Sequence, residues 1–206
     1  MKKIVLKNKV TNQKRRYFVI LVFIIVGIFM GFIYPFFLSS ENKEILDLSV
    51  NSYFDIIKNN NYISLDVLKN VIPNNIFLLI TIWILGISII GLIFVIFILL
   101  YKSFILGFSF SSIVYTYGIK GILGGFIYVF PASILELIIY ILIGFYSISF
   151  SIKLFSYIFL KNNINLSGFI TKYFKILCIT IMGIIVTGLY QVYVLPILIK
   201  LFTNLL

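Results

Sequence analysis

Histidine is absent from this 206-residue chain, and cysteine occurs once. The missing histidine removes the commonest general base and one of the commonest metal ligands of proteins. A single cysteine excludes a disulfide within the chain, and its position in an apolar run predicts that Cys178 is a small buried hydrophobic residue. No phosphate-binding glycine loop or nucleophile elbow is present. We therefore expect no catalytic residues, no metal site and no cofactor, and do not expect an enzyme.

Charge is also scarce. Only 11% of the residues are charged, whereas soluble domains carry roughly a quarter. Hydrophobic residues make up 62% of the chain, and the mean hydropathy is +1.15. Several apolar runs reach the ~20 residues that a membrane-spanning helix needs. The sequence therefore predicts an all-α, polytopic membrane bundle.

The net charge of +11 is concentrated at one end, because seven of the 17 basic residues lie in the first 16 positions. Residues 1–16 are typical of a basic cytoplasmic flank that contacts anionic membrane lipid, and nucleic acid is not an expected partner. The apolar run 17–38 follows as an uncleaved transmembrane signal anchor. Within it, Gly27 and Gly31 form a GxxxG pattern that predicts a helix-packing face. Self-association of the chain stays open.

Residues 39–75 contain five of the six acidic side chains and are the only sizeable polar segment. Two imperfect amphipathic patterns predict short helices, the first ending near Lys58 and the second running from Ser64 to Pro73. We expect an extracytoplasmic segment. Its helices either lie on the outer leaflet or cap the bundle.

Residues 76–206 form the rest of the membrane bundle, beginning with a predicted span at 76–101. Residues 103–152 allow two interpretations: two spans at 103–120 and 121–152, the second broken or kinked at Pro131, or a re-entrant hairpin at 103–130. The two-span interpretation is favoured because it places twelve of the 17 basic residues on the N-terminal side, whereas the hairpin places nine there. A cytoplasmic loop at 153–175 and a last span at 176–199 complete five spans with a cytoplasmic N-terminus.

Glu136 then lies near the centre of a span, where a charged side chain costs about 2.5–3.5 kcal/mol. We expect it to be protonated, paired or turned towards a protein-lined cavity. An antiparallel neighbouring span would bring Ser109, Ser111 and Ser112 to the same depth as hydrogen-bonding partners. Two roles stay open: an anchor for a helix that begins at Pro131, or part of a polar path through a small channel or transporter.

Four stretches resemble the stage II sporulation protein M family in their order along the chain. They are KSFILGF at 102–108 with Gly107, YGIKG at 117–121 with Gly118 and Gly121, FPASILE at 130–136, and Gly144. Ala132 and Ser133 stand where the family often has His-Gly. The resemblance extends over essentially the whole chain.

The resemblance implies a non-enzymatic membrane scaffold in an endospore-forming bacterium. Such a protein lies in the cell membrane at the sporulation septum. It holds two peptidoglycan-degrading partners there, an amidase/endopeptidase and a lytic transglycosylase, while the forespore is engulfed.

Overall fold

The computed structural model describes residues 2–58, 64–159 and 166–203. Every regular element there is helical. The helices are α1 (Lys2–Ile33), α2 (Ser40–Lys58), α3 (Ser64–Ile87), α4 (Gly91–Tyr128), α5 (Phe130–Ile158), α6 (Leu166–Leu189) and α7 (Leu195–Thr203). A 3₁₀ turn (Tyr34–Phe37) follows α1, and a π-helical turn (Tyr190–Val194) joins α6 to α7.

Five stretches are long and apolar enough to cross a membrane, which confirms the predicted all-α, multi-pass architecture. They are Tyr17–Phe37, Leu68–Ile87, Gly91–Tyr128, Phe130–Ile158 and Ser167–Lys200. The outer surface of the bundle carries large exposed apolar side chains. Cys178 is exposed on this surface, so the prediction that it is buried is wrong.

The predicted span at 76–101 is wrong, because the chain turns at residues 88–90 in the middle of this apolar run. The Ser88 amide donates to the Leu85 carbonyl at 3.1 Å, closing the turn. Gly91 lies directly against the Leu85 backbone, where a side chain would collide with the carbonyl. The first transmembrane helix after α2 therefore starts earlier than predicted and runs continuously through Pro73.

A second reversal lies within α4 at Gly118, whose φ of 61° and ψ of −136° suit glycine far better than other residues. After it the chain doubles back, so that Gly121 lies against the backbone of Ile113 and Val114. The arm before Gly118 is about 40 Å long at 1.5 Å per residue, which is enough to cross a bilayer. The structure thus has two long antiparallel arms, 91–117 and 119–158, in place of the predicted 103–120 and 121–152.

A single residue, Val129, separates α4 from α5, and Pro131 lies in the first turn of α5. Val129 keeps helical dihedral angles and its amide donates to the Gly125 carbonyl at 2.9 Å, so the break or kink at Pro131 stays a prediction. Helix α5 continues to Ile158, and α6 begins at Leu166. The predicted loop at 153–175 and the predicted span at 176–199 are therefore corrected. Helices α5 and α6 both extend into residues 153–175, so the connection is shorter than the predicted loop and the last helix begins earlier than 176.

Helices α1 and α4 approach each other through glycine. A Cβ on Gly27 would lie 2.7 Å from the Leu100 carbonyl oxygen, and one on Gly31 would collide with the Phe104 carbonyl. From the other side, Gly107 lies against the Ile28 backbone. Glycine lets the two backbones meet at this contact, as in GxxxG helix pairs.

Helix α2 packs across one end of the bundle, which we call the α2 end. Leu46, Phe54 and Ile57 form its buried face. The Thr116 hydroxyl donates to Asp47 Oδ1 at 2.7 Å, and the Tyr117 hydroxyl donates to Asn51 Oδ1 at 2.7 Å. The second predicted amphipathic helix is instead the beginning of α3.

The opposite end contains the 88–90 turn, and we call it the turn end. The Ser151 hydroxyl lies 2.7 Å from the Gly86 carbonyl oxygen and 2.9 Å from that of Ser88. Trp83 stacks on Tyr173 with ring centroids 5.6 Å apart. These contacts join α3, α5 and α6 between the centre of the bundle and the turn end.

Candidate functional site at the centre of the bundle

Glu136 lies near the start of α5 and is surrounded by side chains from other helices. Its Oε1 atom accepts two hydrogen bonds, from Asn75 Nδ2 at 2.9 Å and from Gln191 Nε2 at 2.6 Å. Asn75 comes from α3, and Gln191 comes from the π-helical turn. Glu136 therefore ties together three segments that are far apart in the sequence.

Lys102 supplies the opposite charge from the middle of the first arm of α4. Its Nζ atom donates to Asn75 Oδ1 at 2.8 Å and lies 4.0 Å from Glu136 Oε2. The ammonium also lies 4.7 Å from the ring centroid of Tyr140, a favourable cation–π distance. The Tyr140 hydroxyl donates to Asn75 Oδ1 at 2.9 Å. We call these five residues, Asn75, Lys102, Glu136, Tyr140 and Gln191, the polar cluster.

The polar cluster solves the energetic problem that a buried carboxylate poses. One cation and one anion give it no net formal charge, and three neutral polar side chains supply hydrogen bonds between and around them. An uncompensated charge at membrane depth is costly, whereas a paired and hydrogen-bonded one is tolerated. The arrangement therefore holds α3, α4, α5 and the segment after α6 in one register.

The π-helical turn explains how Gln191 reaches Glu136. Such a turn has a wider hydrogen-bonding pattern than an α-helix, and it changes the faces to which the following residues point. Within Tyr190–Val194, Val192 is buried while Tyr193 is exposed. π-Bulges occur frequently at functional sites, and here the bulge provides the shortest hydrogen bond of the polar cluster.

The three serines predicted to contact Glu136 lie elsewhere. The Ser111 hydroxyl donates to the Phe32 carbonyl at 2.6 Å, and that of Ser112 donates to the Phe108 carbonyl at 2.7 Å. Ser109 lines two cavities towards the α2 end. Because the first arm begins at Gly91, residues 109–112 lie about two turns beyond the level of Glu136, and Lys102 occupies that level instead.

The predicted glycines have structural positions away from the polar cluster. Gly107 faces α1, Gly118 forms the reversal, and Gly121 packs against the arm before it. Gly27 and Gly31 lie at the α1–α4 contact. Of the predicted motif residues, only Glu136 belongs to the polar cluster, and Pro131 precedes it by five residues in the first turn of α5.

Sequence reasoning missed Asn75, Lys102, Tyr140 and Gln191. The predicted span at 76–101 places Lys102 at a membrane boundary, and the predicted extracytoplasmic segment 39–75 places Asn75 outside the membrane. The signal that could have located Lys102 is the Gly86, Ser88 and Gly91 spacing, since a turn there places Lys102 eleven residues into the next apolar helix. No comparable local signal marks Gln191.

The family model of stage II sporulation protein M matches residues 20–196, which is most of the chain. The chain belongs to the stage II sporulation protein M family. Searches of curated proteins and of solved structures found no match. The family assignment supports a sporulation membrane protein, and the five apolar helices fit a multi-pass member of it.

Proposed function

We propose that the protein is a non-enzymatic scaffold that holds peptidoglycan-degrading enzymes at the sporulation septum during engulfment. Membership of the stage II sporulation protein M family and the motif resemblance support this role. The resemblance implies an amidase/endopeptidase and a lytic transglycosylase as partners. The protein's own contribution would be to position these enzymes on the wall side of the membrane.

The observation that carries the proposal is the exposed face of α2. Helix α2 buries one apolar face against the bundle, yet large apolar side chains also lie on the opposite face, where Ile45 is 55% exposed and Leu48 is 64% exposed. That face, which we call the outer face of α2, consists of Glu41, Glu44, Ile45, Leu48, Ser52 and Asp55. Their spacing places them on a single stripe of the helix.

The charge on the outer face of α2 favours a protein partner over a lipid surface. Its three carboxylates would be repelled by anionic lipid headgroups. A partner with basic side chains around an apolar patch would match both the carboxylates and the exposed Ile45 and Leu48. Interfaces of this kind combine a small apolar centre with a polar rim.

The distribution of basic residues supports an extracytoplasmic position for α2. Of the 16 basic residues that the structure describes, ten fall at the turn end or in the N-terminal segment, five fall at the α2 end, and Lys102 lies within the bundle. Basic residues concentrate on the cytoplasmic side of membrane proteins. The α2 end would then face the cell wall.

The test is co-purification from native membranes during starvation, comparing the parent with the double variant Glu41→Lys/Glu44→Lys. We expect the parent to carry peptidoglycan hydrolases in fixed proportion. The variant should lose most of them while remaining in the membrane at the parental level, because both substituted side chains are exposed.

The matched control is Lys69→Glu, which changes an exposed charge near the start of α3 without altering α2. It should retain the hydrolases. Full recruitment by the α2 double variant would contradict the proposed docking face. Absence of hydrolases from the parent would contradict the scaffold role itself.

A further inference from the structure

Three cavities lie in a row from the α2 end to the centre of the bundle and become smaller along the way. The first is a groove of about 540 Å³ between α2 and α4. The second has a volume of about 250 Å³ and lies beside Gln191. The third has about 40 Å³ and is bounded by Lys102, Glu136 and Tyr140.

Neighbouring cavities share their walls. Tyr53, Ser109 and Tyr128 border both the first and the second cavity. Ser133 borders both the second and the third. All four shared side chains carry the hydroxyl of a serine or a tyrosine, so polar groups recur where one cavity meets the next.

The smallest cavity suits water. A water molecule takes up about 30 Å³ in the liquid and needs two to four polar partners. The Lys102 ammonium and Glu136 Oε2 lie 4.0 Å apart, which is too long for a direct hydrogen bond. A water in the third cavity would bridge this gap, and Ser133 supplies a further hydroxyl in the wall.

Towards the turn end the interior is closely packed. Val95, Leu99 and Ile143 are at most 1% exposed, and Leu99 fills the space beside Gly144. Ser147 is fully buried there, and its hydroxyl lies 2.8 Å from that of Tyr173. Ser103, at the level of Lys102, is also fully buried, on the face of α4 that packs against α1, and its hydroxyl donates to the Leu99 carbonyl at 2.8 Å.

We infer that the bundle contains a one-sided water pathway, entered from the α2 end and ending at the Lys102–Glu136 pair. The pathway admits small hydrophilic solutes as far as the second cavity and water as far as the polar cluster. The apolar layer around Leu99 closes it towards the turn end. The buried ion pair therefore exchanges water with only one side of the membrane, and a partner seated on α2 would lie at the entrance.

The single natural cysteine makes a direct test feasible. Cys178 is first replaced by serine, and single cysteines are then introduced at Ser133 and Ser109, which line the second cavity. A positively charged, membrane-impermeant methanethiosulfonate reagent is applied separately to right-side-out and inside-out membrane vesicles. Only thiols in contact with water ionise and react at an appreciable rate.

Four further serine-to-cysteine variants provide the controls. Ser52 on α2 and Ser88 in the turn are exposed and mark the two ends of the bundle. Ser147 is fully buried on the turn-end side of the polar cluster, and Ser103 is fully buried on the face of α4 that packs against Gly27 of α1. All six substitutions exchange one oxygen for one sulfur, so the variants differ mainly in the position of the thiol.

We expect S109C and S133C to be labelled from the side that labels S52C and to show no labelling from the side that labels S88C. S103C and S147C should remain unlabelled from both sides. Labelling of S133C or S147C from both sides would overturn the inference in favour of a continuous channel. No labelling of S133C from either side, with S52C and S88C reacting normally, would overturn it in favour of a dry interior. These results do not depend on whether hydrolases bind, so the scaffold proposal and this inference fail independently.

Discussion

The two sides of α4 are packed by different chemistry. On the side that faces α1, glycine allows the two backbones to approach, and Gly31 and Gly107 leave no room for side chains. On the side that faces α3 and α5, Lys102 enters a network of hydrogen bonds and one ion pair with Asn75 and Glu136. The first contact is steric and the second is polar.

This difference determines how each contact fixes the fold. Backbone proximity at glycine tolerates small shifts along the helix, because dispersion attraction is the sum of many weak terms. The polar cluster is less tolerant, since a displaced partner would leave a charged group unpaired at membrane depth. We infer that the glycine contact sets the distance between helices, while the polar cluster sets their register.

The largest effect is expected from breaking the ion pair. Lys102→Met leaves the Glu136 carboxylate without its cation, and removal of one partner from a buried pair lowers the free energy of unfolding by about 3–5 kcal/mol. The measurement is equilibrium unfolding of the purified protein in detergent micelles. Parental stability for this variant would show that Glu136 needs no counter-charge.

A double variant distinguishes the effect of the ion pair on stability from the effects of the two individual side chains. Lys102→Met/Glu136→Gln removes both charges, and the glutamine retains an oxygen that can accept the bonds from Asn75 and Gln191. It should therefore recover much of the stability that Lys102→Met loses. A loss equal to the sum of the two single variants would contradict direct coupling between Lys102 and Glu136.

The prediction of the fold from sequence succeeded where the signal was compositional. Long apolar runs predicted the helical class and five crossings, because both depend on total hydrophobicity. The 88–90 turn was missed since the run from 76 to 101 is apolar on both sides of it. Because the predicted span ends at 101 and the chain in fact turns at 88–90, the prediction places Lys102 at the membrane surface instead of near the centre of a helix. Lys102 was therefore not recognised as the partner of Glu136.

An intermediate effect is expected at the glycine contact. Gly31→Ala places a methyl group against the Phe104 carbonyl, a backbone atom that cannot move independently. Overpacking of this kind costs about 1–3 kcal/mol. The same unfolding measurement applies, and it should show a clear loss even though alanine is the better helix former.

Gly183→Ala is the matched control for that variant. Its new methyl group would lie 2.9 Å from Ile139 Cδ1, the end of a flexible side chain that can rotate away. Both substitutions gain the same helix propensity, so their difference isolates the contact with α4. Equal stability of the two variants would show that the α1–α4 backbones can separate without cost.

Only part of the candidate site was predictable from the sequence, because a charged member of the polar cluster is conspicuous in an apolar run and a neutral member is not. Glu136 stood out because a carboxylate in an apolar run is costly by itself. Asn75 and Gln191 are neutral, and their importance comes from their hydrogen bonds to Glu136. Glu136 lies 61 positions from Asn75 and 55 positions from Gln191 along the chain. Such pairs depend on the register of α3, α5 and the π-helical turn, which no single apolar pattern encodes.

The smallest effect is expected from Gln191→Leu, which removes one hydrogen bond to Glu136 and leaves the ion pair intact. Side-chain hydrogen bonds between membrane helices contribute about 0.6 kcal/mol on average and at most about 1.7 kcal/mol. Tyr193→Leu, at an exposed position of the same turn, is the control and should change the unfolding free energy less. A loss as large as that of Lys102→Met would mean that the π-helical turn, rather than the ion pair, holds the register of the bundle. A loss no larger than that of Tyr193→Leu would mean that Asn75 and Lys102 are sufficient to hold Glu136 in place.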